Sequence, residues 1–264
     1  MLARQRQMLI VEQVRRDGAV RVSDLVEALA VSDMTIRRDL DVLAEQGLVE
    51  KVHGGATLPS ARRLEEPGFE AKSARAPAEK QAIAAAAARL ASPGHAIGIT
   101  AGTTTWALAR QLRDIPDLTV VTNSIRVAEL LWAPERSDRV VLTGGIRTPS
   151  DALVGPVAVR AVRSLHLDLV FMGVHGMDEH AGFTTPNLME AEVNRALTES
   201  AREVAVVADH TKWGLVGISS FATLDQADVL VTDSNLTPDA RAVLEARIAR
   251  VIMAPAEPGA SRVS

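Results

Sequence analysis

The residues of this chain that could do chemistry gather just after short apolar runs. Thr100-Ala-Gly-Thr-Thr-Thr105, Thr122-Asn-Ser124, Thr143-Gly-Gly145, Gly173-Val-His-Gly-Met-Asp178 and Asp209-His-Thr-Lys212 each follow such a run. If the runs are parallel strands, these loops converge outside their carboxyl ends, where ligands of open α/β sheets bind. Gly102-Thr103-Thr104-Thr105 is the sharpest of them. Between a strand and a helix, its backbone N–H groups and hydroxyls face an anion with the helix dipole behind them, and glycine permits close approach. A phosphate suits that cradle; the competing reading is that the threonines only cap the helix. Lys212 offers a positive charge to the same phosphate. Asn123, Gly144, Gly145 and Asp178 could orient sugar hydroxyls, each with a turn-forming alternative. Glu190 and Glu192, two apart on one helix, point away from each other and are expected at solvent or an interface.

Other chemistries lack their residues. The loop is neither G-x-x-x-x-G-K-[ST] nor G-x-G-x-x-G, so ATP and NAD are not favoured and no cofactor is expected. The histidines, at 53, 95, 166, 175, 180 and 210, include no i, i+4 pair, and no metal site is expected. Cysteine is absent, which excludes disulfides, zinc thiolates and a thiol nucleophile. No G-x-S-x-G elbow occurs, and no catalytic residue is assigned.

These loops need a scaffold, and the apolar pattern supplies one. Strands are expected at Ala96–Thr100, Leu118–Thr122, Arg139–Thr143, Asp168–Gly173, Glu203–Ala208 and Asp228–Thr232. Most are continuous Val, Ile and Leu runs, which implies burial on both faces and a mostly parallel sheet covered by helices. Helices are expected at Ala78–Ala91, Thr104–Leu112, Ile125–Leu131, Leu188–Arg202 and Pro238–Ile248.

The first part of the chain has a different texture. Ile10 and Val14 mark a helix that stops at Asp17-Gly18, and Ser23 is expected to cap a second helix carrying Val22, Leu25 and Leu29. Ser32 caps a third, in which Ile36, Leu40 and Leu43 recur on one face and leave Met34, Thr35 and Arg38 opposite, with Arg37 at the flank. Residues 48–52 and 56–58, around His53-Gly54-Gly55, make a hairpin. Three helices and a hairpin fit a helix-turn-helix with a wing, whose third helix enters the major groove of double-stranded DNA. Ser32, Met34, Thr35, Arg37, Arg38, Lys51, His53 and Gly54 are the candidate DNA contacts. Residues 1–58 carry eight basic and nine acidic side chains, so no broad basic face is assured, and a protein-docking bundle is the alternative.

At 264 residues, 47 % hydrophobic and a formal charge of −4, the chain is long enough for two folded domains, and disorder is excluded as its dominant state. The expected organisation is residues 3–58, a winged helix-turn-helix; 59–77, a linker; 78–253, an effector-binding domain; and 254–264, a flexible tail. No apolar run reaches the roughly 18 residues of a membrane span, and the start is too short in apolar residues for a signal peptide, so a soluble, cytoplasmic protein is expected.

Taken together, the motifs resemble a known family. Ser32-Asp-Met-Thr-Ile-Arg-Arg-Asp-Leu40, Glu45-Gln-Gly-Leu-Val and Val52-His-Gly-Gly-Ala56 resemble the helix-turn-helix and wing of the DeoR family of bacterial transcription regulators. Ala101-Gly-Thr-Thr-Thr105, Val121-Thr-Asn-Ser124, Thr143-Gly-Gly145, Leu153-Val-Gly-Pro156, Gly182-Phe-Thr-Thr-Pro186, Glu190-Ala-Glu-Val193 and Ala208-Asp-His-Thr-Lys212 follow in the order of its sensor domain, a resemblance over roughly residues 3–253. It implies an N-terminal winged helix-turn-helix joined to a Rossmann-like, mostly parallel α/β sensor domain related to ribose-5-phosphate isomerase and glucosamine-6-phosphate deaminase. It also implies a repressor of a carbohydrate-metabolism operon that leaves its operator when a phosphorylated sugar binds at Gly102–Thr105, Asn123, Gly144, Gly145 and Lys212. His175 and Trp213 depart from the family's usual residues and would reshape the pocket. Where family members frequently carry Lys directly after Glu-Val, this chain has Asn194, then Arg195. A homo-oligomer, dimer or tetramer, is expected from the pairing of half-sites. The alternative is a sugar-phosphate isomerase or deaminase using Asp178 and Lys212, with an appended helical domain.

Overall fold

A computed structural model describes residues 3–17, 19–46, 48–52, 54–57, 68–132 and 139–255. The chain separates into two compact units, Met1–Glu65 and Glu66–Ser264.

In the first unit α1 (Ala3–Asp17) leads through β1 (Ala19–Arg21) into α2 (Val22–Leu29) and α3 (Asp33–Glu45), then β2 (Glu50–Val52) and β3 (Gly55–Thr57). Ile10, Val14, Leu25, Ile36, Leu40 and Leu43 are buried together, so the apolar stripes meet in one core. Asp39 reinforces it from inside: buried on α3, it accepts from Arg6 Nε at 2.5 Å and from Gln7 Nε2 at 2.9 Å, tying α1 to α3. Ala30 ends α2 in the left-handed conformation (φ 51°), and Ser32 caps α3 by accepting from the Thr35 amide at 3.2 Å.

Two expectations differ here. Ser23 is not a cap: α2 begins at Val22, whose amide is taken by the Gly54 carbonyl at 2.9 Å, and the Ser23 hydroxyl turns to Asp24. The hairpin is a three-stranded sheet, β1-β3-β2, antiparallel throughout. Three residues are too few to show alternation, so β1 had no signal in the sequence. Gly55 makes the pairing possible, since a Cβ there would lie 2.1 Å from the Val20 carbonyl oxygen.

The second unit opens with α4 (Phe69–Ser73), α5 (Pro77–Ala88), β4 (Ala96–Ile99), α6 (Thr103–Gln111), β5 (Thr119–Thr122) and α7 (Ile125–Leu131). Next come β6 (Val140–Leu142), β7 (Ile146–Arg147), β8 (Leu153–Val154), α8 (Pro156–Arg163), β9 (Leu167–Gly173), β10 (Gly176–Asp178) and β11 (Gly182–Thr185). The chain ends with α9 (Leu188–Ser200), β12 (Ala201–Val207), β13 (Ser219–Ala222), β14 (Val229–Asp233), α10 (Pro238–Arg247) and β15 (Arg250–Ala254). Seven strands form one parallel sheet in the order β15-β14-β12-β9-β4-β5-β6. Ile97, Ile99, Leu169 and Phe171 pack on one face with α5, α6 and α7; Val170, Met172, Val206 and Leu230 pack on the other with α8, α9 and α10. Burial on both faces is what the continuous apolar runs encode. From β4 the chain builds outward to β5 and β6, and from β9 in the opposite direction, so the topological switch lies between β4 and β9.

The stretch expected as a linker, 59–77, differs in its described part: residues 69–73 are helical and Pro77 opens α5. The ties holding α4 have no helical period. Phe69 meets Trp106 edge-on with centroids 5.8 Å apart, and Lys80 Nζ donates to the carbonyls of Lys72 (2.6 Å) and Arg75 (2.5 Å), satisfying groups a helix end leaves open. Residues 58–67 lie outside the described residues. Ala254, placed in the tail by sequence, is the buried last residue of β15. The antiparallel sheet β10-β11-β13 and helix α8 were also unforeseen. Among the described residues no helix is long and apolar enough to cross a membrane.

Breaking a buried ion pair by removing one partner costs about 3–5 kcal/mol. Asp39→Ala should therefore lower the thermal midpoint of the N-terminal unit by several degrees, whereas exposed Glu27→Ala should leave it within about 0.5 kcal/mol of wild type. Equal midpoints for the two variants would show that the Arg6–Asp39 pair does not hold α1 on α3.

Candidate functional site

The exposed face of α3 carries the candidate DNA contacts. Met34 is 81 % exposed; with Thr35, Arg38, Ser32 and Gln7 it lines an open groove of about 460 Å³. The Ser32 and Thr35 hydroxyls lie 2.8 Å apart, so both are engaged in the helix start. Arg37 forks onto Asp33 one turn earlier, Nε at 2.5 Å and Nη2 at 3.2 Å, and that pairing holds its pKa above the ordinary arginine value. Lys51 on β2 pairs with Asp41 of α3. Arg38 is exposed and belongs to none of the ion pairs resolved among the described residues. Gly54 is exposed, its φ of +76° making the hairpin turn; His53 lies outside the described residues. A free guanidinium beside a helix N-terminal Thr is the equipment a helix needs to read phosphates and guanine edges.

In the second unit a cleft opens at the switch point, at the carboxyl ends of β4 and β9. Its walls are Ala101–Thr104 after β4, Gly173–His175 after β9, Thr185-Pro186 after β11, Glu190 and Asn194 of α9, Lys72 of α4 and Lys212. Gly102 is the N-cap of α6, so the first amides of that helix point out of its N-terminus beside Thr103 and Thr104. The cleft measures about 60 Å³.

Cations dominate its electrostatics. Burial pushes the Lys212 ammonium below the ordinary lysine range; Asp209 pulls it back and the like charges of Lys72 and Arg75 push it further down. Burial, with Lys212, Lys72 and Arg75, lowers His175 to about 4, so its imidazole is neutral at pH 7. Lys80 is lowered to about 8, chiefly by burial. A concentration of positive charge held out of water is the environment an anion stabilises. The turn His210–Lys212 that delivers Lys212 is anchored by Asp233, buried at the end of β14, which accepts from His210 Nδ1 at 2.9 Å and from its backbone amide at 2.8 Å.

Comparison with known proteins adds to the geometry. The family model of the DeoR-like helix-turn-helix domain matches residues 6–62, and that of the DeoR C terminal sensor domain matches residues 75–234. The chain belongs to the DeoR family. The HTH-type transcriptional regulator GlpR of Haloferax volcanii is 37 % identical over 93 % of this chain and 95 % of its own. The glycerol-3-phosphate regulon repressor of Escherichia coli K12 is 34 % identical over 87 % of this chain and 90 % of its own. Among solved structures, ribose 5-phosphate isomerase A from Methanocaldococcus jannaschii aligns with 51 % of this chain and 53 % of its own, with 17 % identity and a TM-score of 0.37.

This DeoR-family chain brings together only part of the set expected from sequence. Gly102, Thr103, Thr104 and Lys212 line the cleft. Thr105 is fully buried beneath them, its hydroxyl donating to the Gly102 carbonyl at 3.0 Å. Asn123 is corrected to a positioning residue: it is fully buried, its Oδ1 accepts from the Ala101 amide at 2.9 Å and its Nδ2 donates to the Leu153 carbonyl at 3.2 Å. Gly144 and Gly145 do not line the cleft either. They carry φ of +72° and +120°, and a Cβ on Gly145 would lie 2.4 Å from the Val154 carbonyl oxygen. Asp178 accepts from the His180 and Ala181 amides at 2.9 and 3.0 Å, a turn between β10 and β11 that also lowers its pKa. Glu190, expected at solvent or an interface, lines the cleft. Lys72 and Asn194 were not singled out as contacts; only the i, i+4 spacing of Glu190 and Asn194 hinted that they share a helix face.

The pairing with Asp233 raises the His210 pKa above its ordinary 6.5. A raised folded value stabilises fully below the unfolded value and is lost as pH rises through the folded one. The gap in thermal midpoint between wild type and His210→Asn should therefore be widest below pH 6.5 and narrow as pH rises above it. A gap independent of pH would exclude a protonated His210 in the folded state.

Proposed function

We propose that this DeoR-family protein is an operator-binding repressor of a carbohydrate-metabolism operon, released when a phosphorylated sugar or related phosphate ester enters the cleft of the second unit. The observation that carries the reading is the cleft at the β4/β9 switch, where the N-terminus of α6 and the half-buried Lys212 face the same space with Lys72. The relative named as a glycerol-3-phosphate regulon repressor supports a phosphate ester as the signal. Gly102, Thr103, Thr104 and Lys212 hold the phosphate; Ser32, Met34, Thr35, Arg37, Arg38, Lys51, His53 and Gly54 meet double-stranded DNA. The protein works in the cytoplasm as a dimer or tetramer that spans paired half-sites.

The cleft is smaller than the roughly 300–1,000 Å³ of most small-molecule sites, so a sugar phosphate enters only as it widens. Lys72 belongs to α4, the first described element of the second unit, and widening acts on the segment that leads back to the helix-turn-helix. Release of DNA then requires that the ligand favour one arrangement over the other. An enzymatic reading has less support, because Asp178, the acid–base partner it would give Lys212, is committed to a turn outside the cleft.

Selection of an operator from random duplexes, followed by affinity measurements with and without sugar phosphates, tests the reading. A phosphate ester should weaken operator binding while its unphosphorylated parent does not; an operator affinity indifferent to every phosphate ester would remove the switch. Arg38→Ala should weaken operator binding on the order of tenfold and leave phosphate-ester affinity unchanged, and Lys212→Ala should do the reverse. Loss of both activities in both variants would contradict the division of labour.

A further inference from the structure

A buried lysine without an acid beside it lines a second pocket. Lys80 of α5 is 5 % exposed; its ammonium donates to the Lys72 and Arg75 carbonyls and forms no ion pair among the described residues. Lysine is almost never fully buried unless it is paired with an opposite charge. Asp209 and Glu79 act on Lys80 from beyond ion-pair contact, Lys212 and Arg75 oppose them, and burial is the largest influence, drawing its pKa down to about 8.

The pocket lies between α5 and α6 and measures about 220 Å³. Thr103, Trp106 and Arg110 of α6 face it from one side of the helix, Lys80 faces it from α5, and Ser73 closes it at the end of α4. No acidic residue is among its walls. Arg110 is exposed, its guanidinium carbon 5.4 Å from the centroid of the Trp106 ring, and it pairs with no carboxylate among the described residues. The Ser73 hydroxyl is buried with no hydrogen-bond partner, whereas buried polar atoms are nearly always satisfied. The pocket shares only Thr103 with the cleft at the β4/β9 switch.

We propose that this pocket is a second anion site, separate from the cleft, for a compact organic oxyanion whose charged group meets Lys80, Arg110 and the Ser73 hydroxyl and whose carbon body lies against Trp106. Its volume, below the roughly 300–1,000 Å³ of most small-molecule sites, sets the class at a small carboxylate or phosphate ester. Charge-assisted hydrogen bonds to two cations favour such an anion over a neutral polyol of the same size. The assignment does not depend on what the cleft binds. An occupant would join α4, α5 and α6 through Ser73, Lys80 and Arg110, and so would stabilise the second unit.

Full-length protein titrated with inorganic phosphate, glycerol 3-phosphate, succinate and citrate, with glycerol as the neutral control, tests the site through thermal midpoint and tryptophan fluorescence. The phosphate and carboxylate arms distinguish the two sources of the oxyanion. At least one anion should raise the midpoint and change the fluorescence while glycerol does neither. Arg110→Gln, at an exposed position, should weaken that binding about tenfold. Lys212→Ala, in the cleft, should not weaken it. An anion that enters both sites gives two binding phases, of which Arg110→Gln weakens one and Lys212→Ala the other. Trp106→Phe should erase the fluorescence change of the Arg110-sensitive phase. Anion binding that Arg110→Gln leaves unchanged in every phase overturns the second site, as does failure of all four anions to bind at millimolar concentration.

Discussion

The first amides of α6 can face a ligand only because a side chain of the neighbouring strand holds the turn before them. Asn123 takes the Ala101 amide on its oxygen and gives its Nδ2–H to the Leu153 carbonyl, bridging the ends of β4 and β8 from a fully buried position. Two threonines extend the same stitching. Thr122 donates to the Ile99 carbonyl at 2.7 Å, and Thr100 accepts from the Gly173 amide at 2.9 Å across the switch. Strand ends leave backbone groups that no ladder satisfies, and each would cost about 1–3 kcal/mol if buried unpaired. These side chains offset that cost and fix Gly102–Thr104 against Gly173–His175 in doing so.

The same fact explains what could be read from the sequence. Continuous apolar runs such as Leu169–Met172 revealed a sheet buried on both faces, and the spacing of Ile36, Leu40 and Leu43 revealed which side of α3 is free. Polar residues after the strands marked the end of the sheet where the cleft lies. They did not reveal their individual duties, because residue type at a strand end is the same whether it serves the backbone or a ligand. Asn123, Gly145 and Asp178 fell to the backbone, while Gly102, Thr103, Thr104 and Lys212 line the cleft. The contribution of α9 was hidden for another reason: Glu190 was weighed against Glu192, two residues on and pointing away, while its neighbour on the helix face is Asn194. Lys72 sat in a stretch with no apolar period, ordered by Phe69 and by the Lys80 clamp.

Charge is handled oppositely in the two units. On the helix-turn-helix, Arg37 and Lys51 are already paired with Asp33 and Asp41, so approaching phosphates compete with carboxylates on the same surface. Exposed pairs of this kind are worth little, and exchanging a carboxylate for a DNA phosphate is correspondingly cheap. If this face meets DNA as proposed, such pairing would suppress loose attraction to any polyanion and place more of the discrimination on Arg38 and on the groove beside Met34. In the cleft the cations, Lys72 and Lys212, are half-buried, with fewer acids than bases around them. Positive charge held there against its solvation preference makes an anion stabilising in proportion to how dry the site is.

The clamp and the cleft share their charges. Lys80 holds the open carbonyls of α4 while its own proton is weakened by burial and by Lys212, and strengthened by Asp209. On the proposed reading, an anion beside Lys212 would offset the repulsion that Lys212 exerts on Lys80. Lys72, carried by that helix into the cleft, would meet the same anion. A bound anion would therefore act on α4 at both ends of one short lever: directly through Lys72, and through the charge of Lys80. A neutral sugar of the same size would leave those charges unopposed, and that difference is why the proposed reading asks for a phosphorylated signal and not for mere occupancy.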